Sequence, residues 1–193
     1  GLQAWPCFLR CPGFDPTVVN NDGDTLFHMA VSSRDAFLPE LPGRQTANRF
    51  GNTPRHEAVK YGRYETVKML LDEDCNVINV QNVHGETALH LAAKSGLDHV
   101  VEMLLADDRI LPNLSNKKGE TALHLAVWDR SVPIVWRLLD HGETQIDIKD
   151  DEGQTPWQIA IVCDDDEIIQ LMCRCRWYRL LTLHWWRWAN RLY

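Results

Sequence analysis

No run of 18 or more apolar residues occurs in this 193-residue sequence, so no segment has the length of a membrane-spanning helix. There is no glycine-rich phosphate loop either, because the glycines stand singly. The six cysteines (Cys7, Cys11, Cys75, Cys163, Cys173 and Cys175) form no paired Cys-x-x-Cys blocks, which leaves a structural zinc without its usual ligand spacing. No signal peptide is expected, and the thiols are expected to stay reduced inside the cell, in the cytoplasm or nucleus. Basic residues are scarce in the body of the chain. Five of the 20 Lys and Arg fall in the last twenty residues, leaving 15 against 27 Asp and Glu in residues 1–173, a net charge of −12 there. Such an acidic body argues against general binding to a nucleic-acid backbone. The run Asp164-Asp165-Asp166-Glu167 matches an acidic metal cluster only in composition, and before a helix it reads more simply as an N-terminal acidic cap. No catalytic residue, metal site or cofactor is expected. What remains, 45% apolar and 24% charged, suits one folded unit with a substantial core.

What the chain does contain is a phrase that recurs. Gly85-Glu86-Thr87-Ala88-Leu89-His90-Leu91-Ala92 returns at Gly119 as Gly119-Glu120-Thr121-Ala122-Leu123-His124-Leu125-Ala126. Looser copies begin at Gly23, Gly51 and Gly153, and the last four glycines are spaced by 34 residues while the first gap is 28. A period of that size marks a stacked array of small units that complete each other's core.

The phrase resembles the Gly-x-Thr-Pro-Leu-His-x-Ala hallmark of the ankyrin repeat family, and the resemblance runs from about Phe8 to Cys173. It implies an all-α solenoid of helix-turn-helix units joined by β-hairpin fingers, and a role in binding other proteins. It also implies that His28, His56, His90 and His124 join a hydrogen-bond network with the preceding threonine and the adjoining loop. Their spacing agrees with that role: successive helices lie about 10 Å apart, too far for four histidines to share one metal ion.

In chain order, residues 1–22 are expected to be the end of a truncated upstream repeat. Leu9 and Pro16 stand to Gly23 as Leu105 and Pro112 stand to Gly119, so the sequence reads as a fragment of a longer array or a truncated gene model. Repeats are expected over residues 23–173, starting near 23, 51, 85, 119 and 153. In the first, Pro39 and Pro42 should cut the second helix short. Thr53, Thr87 and Thr121 suit N-caps, and Pro54 and Pro156 suit the first helical position. Gly62 and Gly96 are placed to end first helices. Second helices follow at Glu65–Leu71, His99–Leu105, Pro133–Leu139 and Asp166–Cys173. Short alternating runs such as Val77-Ile78-Asn79-Val80 suggest two-stranded fingers. Residues 174–193 form a basic tail outside the pattern, holding half of the eight tryptophans.

Departures from the phrase carry the functional information. Arg55 stands where Leu89 and Leu123 stand, and a lone buried guanidinium is costly, so it is expected to reach solvent or pair with an acid. Seven residues after the cap threonines come Lys60, Lys94 and Trp128, followed by Tyr61, Ser95 and Asp129. With the finger tips Phe50, His84, Lys117 and Lys118 they are expected to line one concave face that binds a partner protein. Exposed aromatics are favoured at such interfaces. Its lysines would form a local basic patch steering an acidic partner segment. Trp136 is placed on the opposite, outer face. The expected molecule is a monomer and not an enzyme. Two alternatives keep the array but change its setting: a membrane-attached regulator held to lipid by the tail, or the targeting arm of a larger multidomain protein.

Overall fold

Helices of two turns are marginal alone in water, and this chain is built from them in stacked pairs. The computed structural model describes residues 15, 17–33, 43–72 and 78–174. They form α1 (Leu26–Ser33), α2 (Pro54–Lys60), α3 (Tyr64–Asp72), α4 (Ala88–Lys94), α5 (Asp98–Leu105), α6 (Ala122–Trp128), α7 (Val132–Asp140) and α8 (Pro156–Val162). A last helix, α9, covers 166–174. The expectations about residues 1–14, the proline-rich stretch before Gly43 and the tail beyond 174 lie outside the described residues.

The helices make two layers. In one, α1, α2, α4, α6 and α8 pack in succession; in the other, α3, α5 and α7 do the same. Small residues let the first layer close up: Ala88, Ala92, Ala93, Ala122 and Ala126 are all buried. Leu89 and Leu123 fill the space between layers against Val101, Leu104, Ile134 and Leu138, none more than 1% exposed. Each fully buried branched side chain contributes about 1.5–3 kcal/mol, and it does so only because a neighbouring repeat covers it. The structure is an all-α repeat solenoid.

Helix starts follow the capping chemistry. Thr87 Oγ1 accepts from the His90 amide at 3.4 Å, and Thr155 Oγ1 from the Gln158 amide at 3.3 Å. At the ends of α2 and α4 the chain turns through Gly62 (φ 62°) and Gly96 (φ 68°). The same position in the next two repeats is filled by Arg130 (φ 55°) and Asp164 (φ 52°), side chains that rarely adopt this conformation.

The expected two-stranded fingers are not confirmed, and Val77 of the run read as one lies outside the described residues. Among the described residues no ladder of strands forms, and the only bridge pairs Val19 with Thr25. The loop amides are used differently. Asn82 Oδ1 accepts from the amides of His84 and Glu86 at 2.9 and 3.0 Å. Asn20, Asn48, Asn116 and Asp150 repeat that arrangement in their own loops. Each tip then bonds to the next: Arg49 N to Asp22 O, Val83 N to Phe50 O, Lys117 N to His84 O and Asp151 N to Lys118 O, all at 2.9 Å. Each loop is thus a side-chain-anchored turn, closed by a backbone bond such as Asn82 N to Glu86 O and stacked edge to edge on the next.

Of the two outcomes expected for Arg55, exposure to solvent is not the one found. It does not reach solvent: it is 3% exposed, and Nη2 donates to the carbonyl of Leu70 at 2.5 Å near the end of α3. Its charge is felt at Asp107, whose carboxyl is held down to about 2 chiefly by Arg109 and, more weakly, by Arg55.

Candidate functional site

The four repeat histidines are structural. Nδ1 of His28, His56, His90 and His124 accepts from the amide of Thr25, Thr53, Thr87 and Thr121 at 3.0–3.2 Å. Nε2 donates to a carbonyl in the following loop, of Asn52, Glu86, Glu120 and Gln154 respectively. An amide facing Nδ1 requires the neutral ring with its proton on Nε2. Each ring therefore ties one repeat to the loop of the next, as the family resemblance implied. In the fifth phrase Gln158 Oε1 takes the place of Nδ1, accepting from the Thr155 amide at 2.8 Å.

This network makes stability depend on pH. Burial lowers the pKa of His56, His90 and His124 below the usual imidazole value. In the unfolded chain these rings titrate near about 6.5. The folded state thus prefers the neutral form. Its full contribution is present above about pH 6.5 and is lost as pH falls from there through the lowered folded values. His90→Gln, which copies Gln158 and cannot titrate in this range, should flatten the fall in urea midpoint between about pH 7 and pH 5. An unchanged slope would show that these rings do not carry it.

All ten residues proposed for the concave surface are exposed. Phe50, His84, Lys117 and Lys118 occupy loop tips joined by the tip-to-tip bonds described above. Lys60 and Tyr61 end α2, Lys94 and Ser95 end α4, and Trp128 and Asp129 end α6. Phe50, Tyr61 and Trp128 are 50%, 43% and 46% exposed. Phe50, Lys60, Tyr61 and His84 come together around a surface groove of about 430 Å³. Further along, Asp129 lies beside Gly96, its Oδ2 3.4 Å from where a β-carbon on that glycine would stand.

Sequence reading missed the acids of this surface. Asp22, Asp24, Glu57 and Glu86 also line the groove. Lys60 Nζ lies 3.3 Å from Glu57 Oε2, and Lys94 Nζ 3.1 Å from Glu86 Oε1. Burial opposes ionisation of Glu86, yet its bonds to Lys94 and Asn82 keep its pKa below the usual carboxylate value. The lysines expected to make a basic patch are thus engaged at this end. The available signal was an acid directly after the repeat glycine, as in Gly23-Asp24 and Gly85-Glu86.

Trp136 is half exposed on α7, away from these residues. It lines a second groove of about 500 Å³ with Leu105, Arg137 and His141. Beside it Arg137 bridges Asp98 and Glu102 of α5. No cluster of three or more His, Cys, Asp or Glu suited to a metal ion is found among the described residues. None of the described helices is long and apolar enough to cross a membrane.

Comparison with curated proteins gives no match. The family profile for ankyrin repeats, in three copies, matches residues 6–79, 36–115 and 108–178. Those spans take in nearly every threonine cap, histidine bridge and stacked loop described above, and the chain belongs to the ankyrin repeat family.

Proposed function

We propose that this chain binds a partner protein, without catalysis, on the surface formed by its loop tips and the ends of its first-layer helices. Ankyrin repeats are generally protein–protein interaction modules, typically non-catalytic. The observation that carries the proposal is the set of half-exposed aromatics, Phe50, Tyr61 and Trp128, at loop and helix ends of a stack whose own core is closed. Apolar rings held at that exposure by rigid backbone lose little freedom on binding, which favours affinity. The chain acts as a monomer inside the cell, in the cytoplasm or nucleus; the free thiols of Cys163 and Cys173 are in keeping with a reducing setting.

Affinity capture from cell extract tests this with the intact chain and a Lys94→Ala, Trp128→Ala double variant. Retention of a specific protein should fall at least about ten-fold in the variant, as expected when a buried aromatic anchor is removed. Both substitutions are at exposed positions, so the variant should stay folded and melt cooperatively, slightly lower than the parent because the buried Glu86 loses Lys94. Equal capture by the two proteins would move the binding surface elsewhere.

A further inference from the structure

The groove at the start of the concave surface has an unusual combination of linings. Four carboxylates, of Asp22, Asp24, Glu57 and Glu86, surround two exposed rings, Phe50 and Tyr61. Two ammonium groups, of Lys60 and Lys94, pair with Glu57 and Glu86, and the Arg49 side chain runs past Gly23 between Asp22 and Asp24, which leaves the acids in the majority. The remaining donors to these acids are neutral amides. Asp24 accepts from Asn20 and Asn48 at 3.0 and 2.7 Å, and Glu57 from Asn52 at 2.8 Å. Amide donors position a carboxylate without cancelling its charge, so the groove keeps an excess of negative charge beside apolar rings.

The chain itself shows what such a lining holds. Lys60 Nζ rests between the Glu57 carboxylate and the face of Tyr61, 5.2 Å from the ring centroid. A cation is thus already seated on one acid and one ring, using both Coulomb attraction and the ring quadrupole. Phe50 adds a second ring to the groove lining, next in the chain to Arg49, whose amide bonds to Asp22 O at the neighbouring tip.

We infer that this groove takes a basic segment of the partner, with an Arg side chain laid against Phe50 and held by the carboxylates around it; this rests on the concave-surface reading above. Arg suits the site better than Lys, since a planar guanidinium stacks on a ring while its edges donate to carboxylates. The flexible Lys60 ammonium, 55% exposed, can move aside for it.

The probe is a fluorescein-labelled peptide alternating Arg and Gly, titrated by anisotropy against the full chain, with a Glu-Gly peptide beside it. The Arg peptide should bind, the Glu peptide should not, and affinity should fall as salt rises. Asp22→Lys and Phe50→Ala should each weaken binding at least about five-fold, while Glu143→Lys, on another exposed loop, should change it less than about two-fold. Asp22→Asn keeps the loop side chain's shape and should show a smaller loss of the same sign. Equal binding of the Glu peptide, or Arg-peptide binding indifferent to Asp22→Lys and Phe50→Ala, overturns the inference. If a captured partner is lost with Lys94→Ala, Trp128→Ala but kept with Asp22→Lys, the concave-surface reading stands and only the basic-segment inference falls.

Discussion

Gly119→Ala should lower the free energy of unfolding by about 2–4 kcal/mol, whereas Gly153→Ala, the same change one repeat later, should lower it by only about 1 kcal/mol. Both glycines have nearly the same backbone, φ +74° and +78°, so the intrinsic cost of a side chain in that region is common to both. What differs is the neighbour. A β-carbon on Gly119 would stand 2.7 Å from the amide nitrogen of Asp151 and 2.9 Å from Asp150 backbone carbon atoms, while one on Gly153 meets nothing within 4 Å. Backbone cannot swing away as a side chain can. The loop of Asp150 would have to shift, straining the bond from Asp151 N to Lys118 O and with it the seat of Gln154 O under His124. Overpacking of this kind adds about 1–3 kcal/mol to the conformational cost. Urea unfolding of the two variants beside the parent measures the difference. Equal losses would mean that the stacked loops yield freely and that tip-to-tip contact adds little to the array.

The contrast also shows what could be read before the structure. Helix positions were legible because the phrase repeats nearly letter for letter: His99–Leu105 was expected and Asp98–Leu105 is found. The histidine bridges were legible through the family resemblance. Loop geometry was not, because alternating polar and apolar residues suit a strand and a side-chain-anchored turn equally well. The discriminating sign was an Asn or Asp three residues before every repeat glycine (Asn20, Asn48, Asn82, Asn116 and Asp150). The ten surface residues all emerge at exposed positions, yet the charge around them was misjudged. Lys94 and Glu86 are eight residues apart, and only the fold brings their charged ends within 3.1 Å. No glycine marks the left-handed turns at Arg130 and Asp164, and only the aspartate is a residue type enriched in that conformation.

Arg55→Leu should raise stability by about 2 kcal/mol, although it deletes a hydrogen bond. Bonding, charge attraction, desolvation and apolar burial all bear on the sign. The bond from Nη2 to the Leu70 carbonyl is charge-assisted and contributes about 1.5–3 kcal/mol, and the carbonyl left behind costs part of that again unless water reaches it. Attraction to Asp107 adds less, since that carboxylate is held mainly by its neighbour Arg109. Against these stands the desolvation of a guanidinium at 3% exposure, an effective penalty of several kcal/mol. Leucine recovers that penalty and adds about 1.5–3 kcal/mol of apolar burial, in the place where Leu89 and Leu123 already pack at 1% exposure. Arg55→Ala separates the contributions: it removes the charge but leaves a cavity, and should fall below Arg55→Leu by about 2–4 kcal/mol. Thermal and urea unfolding of both variants give the ordering. If Arg55→Leu melts at or below the parent temperature, the guanidinium's bonds outweigh its desolvation, and the end of α3 depends on Arg55 as a cap.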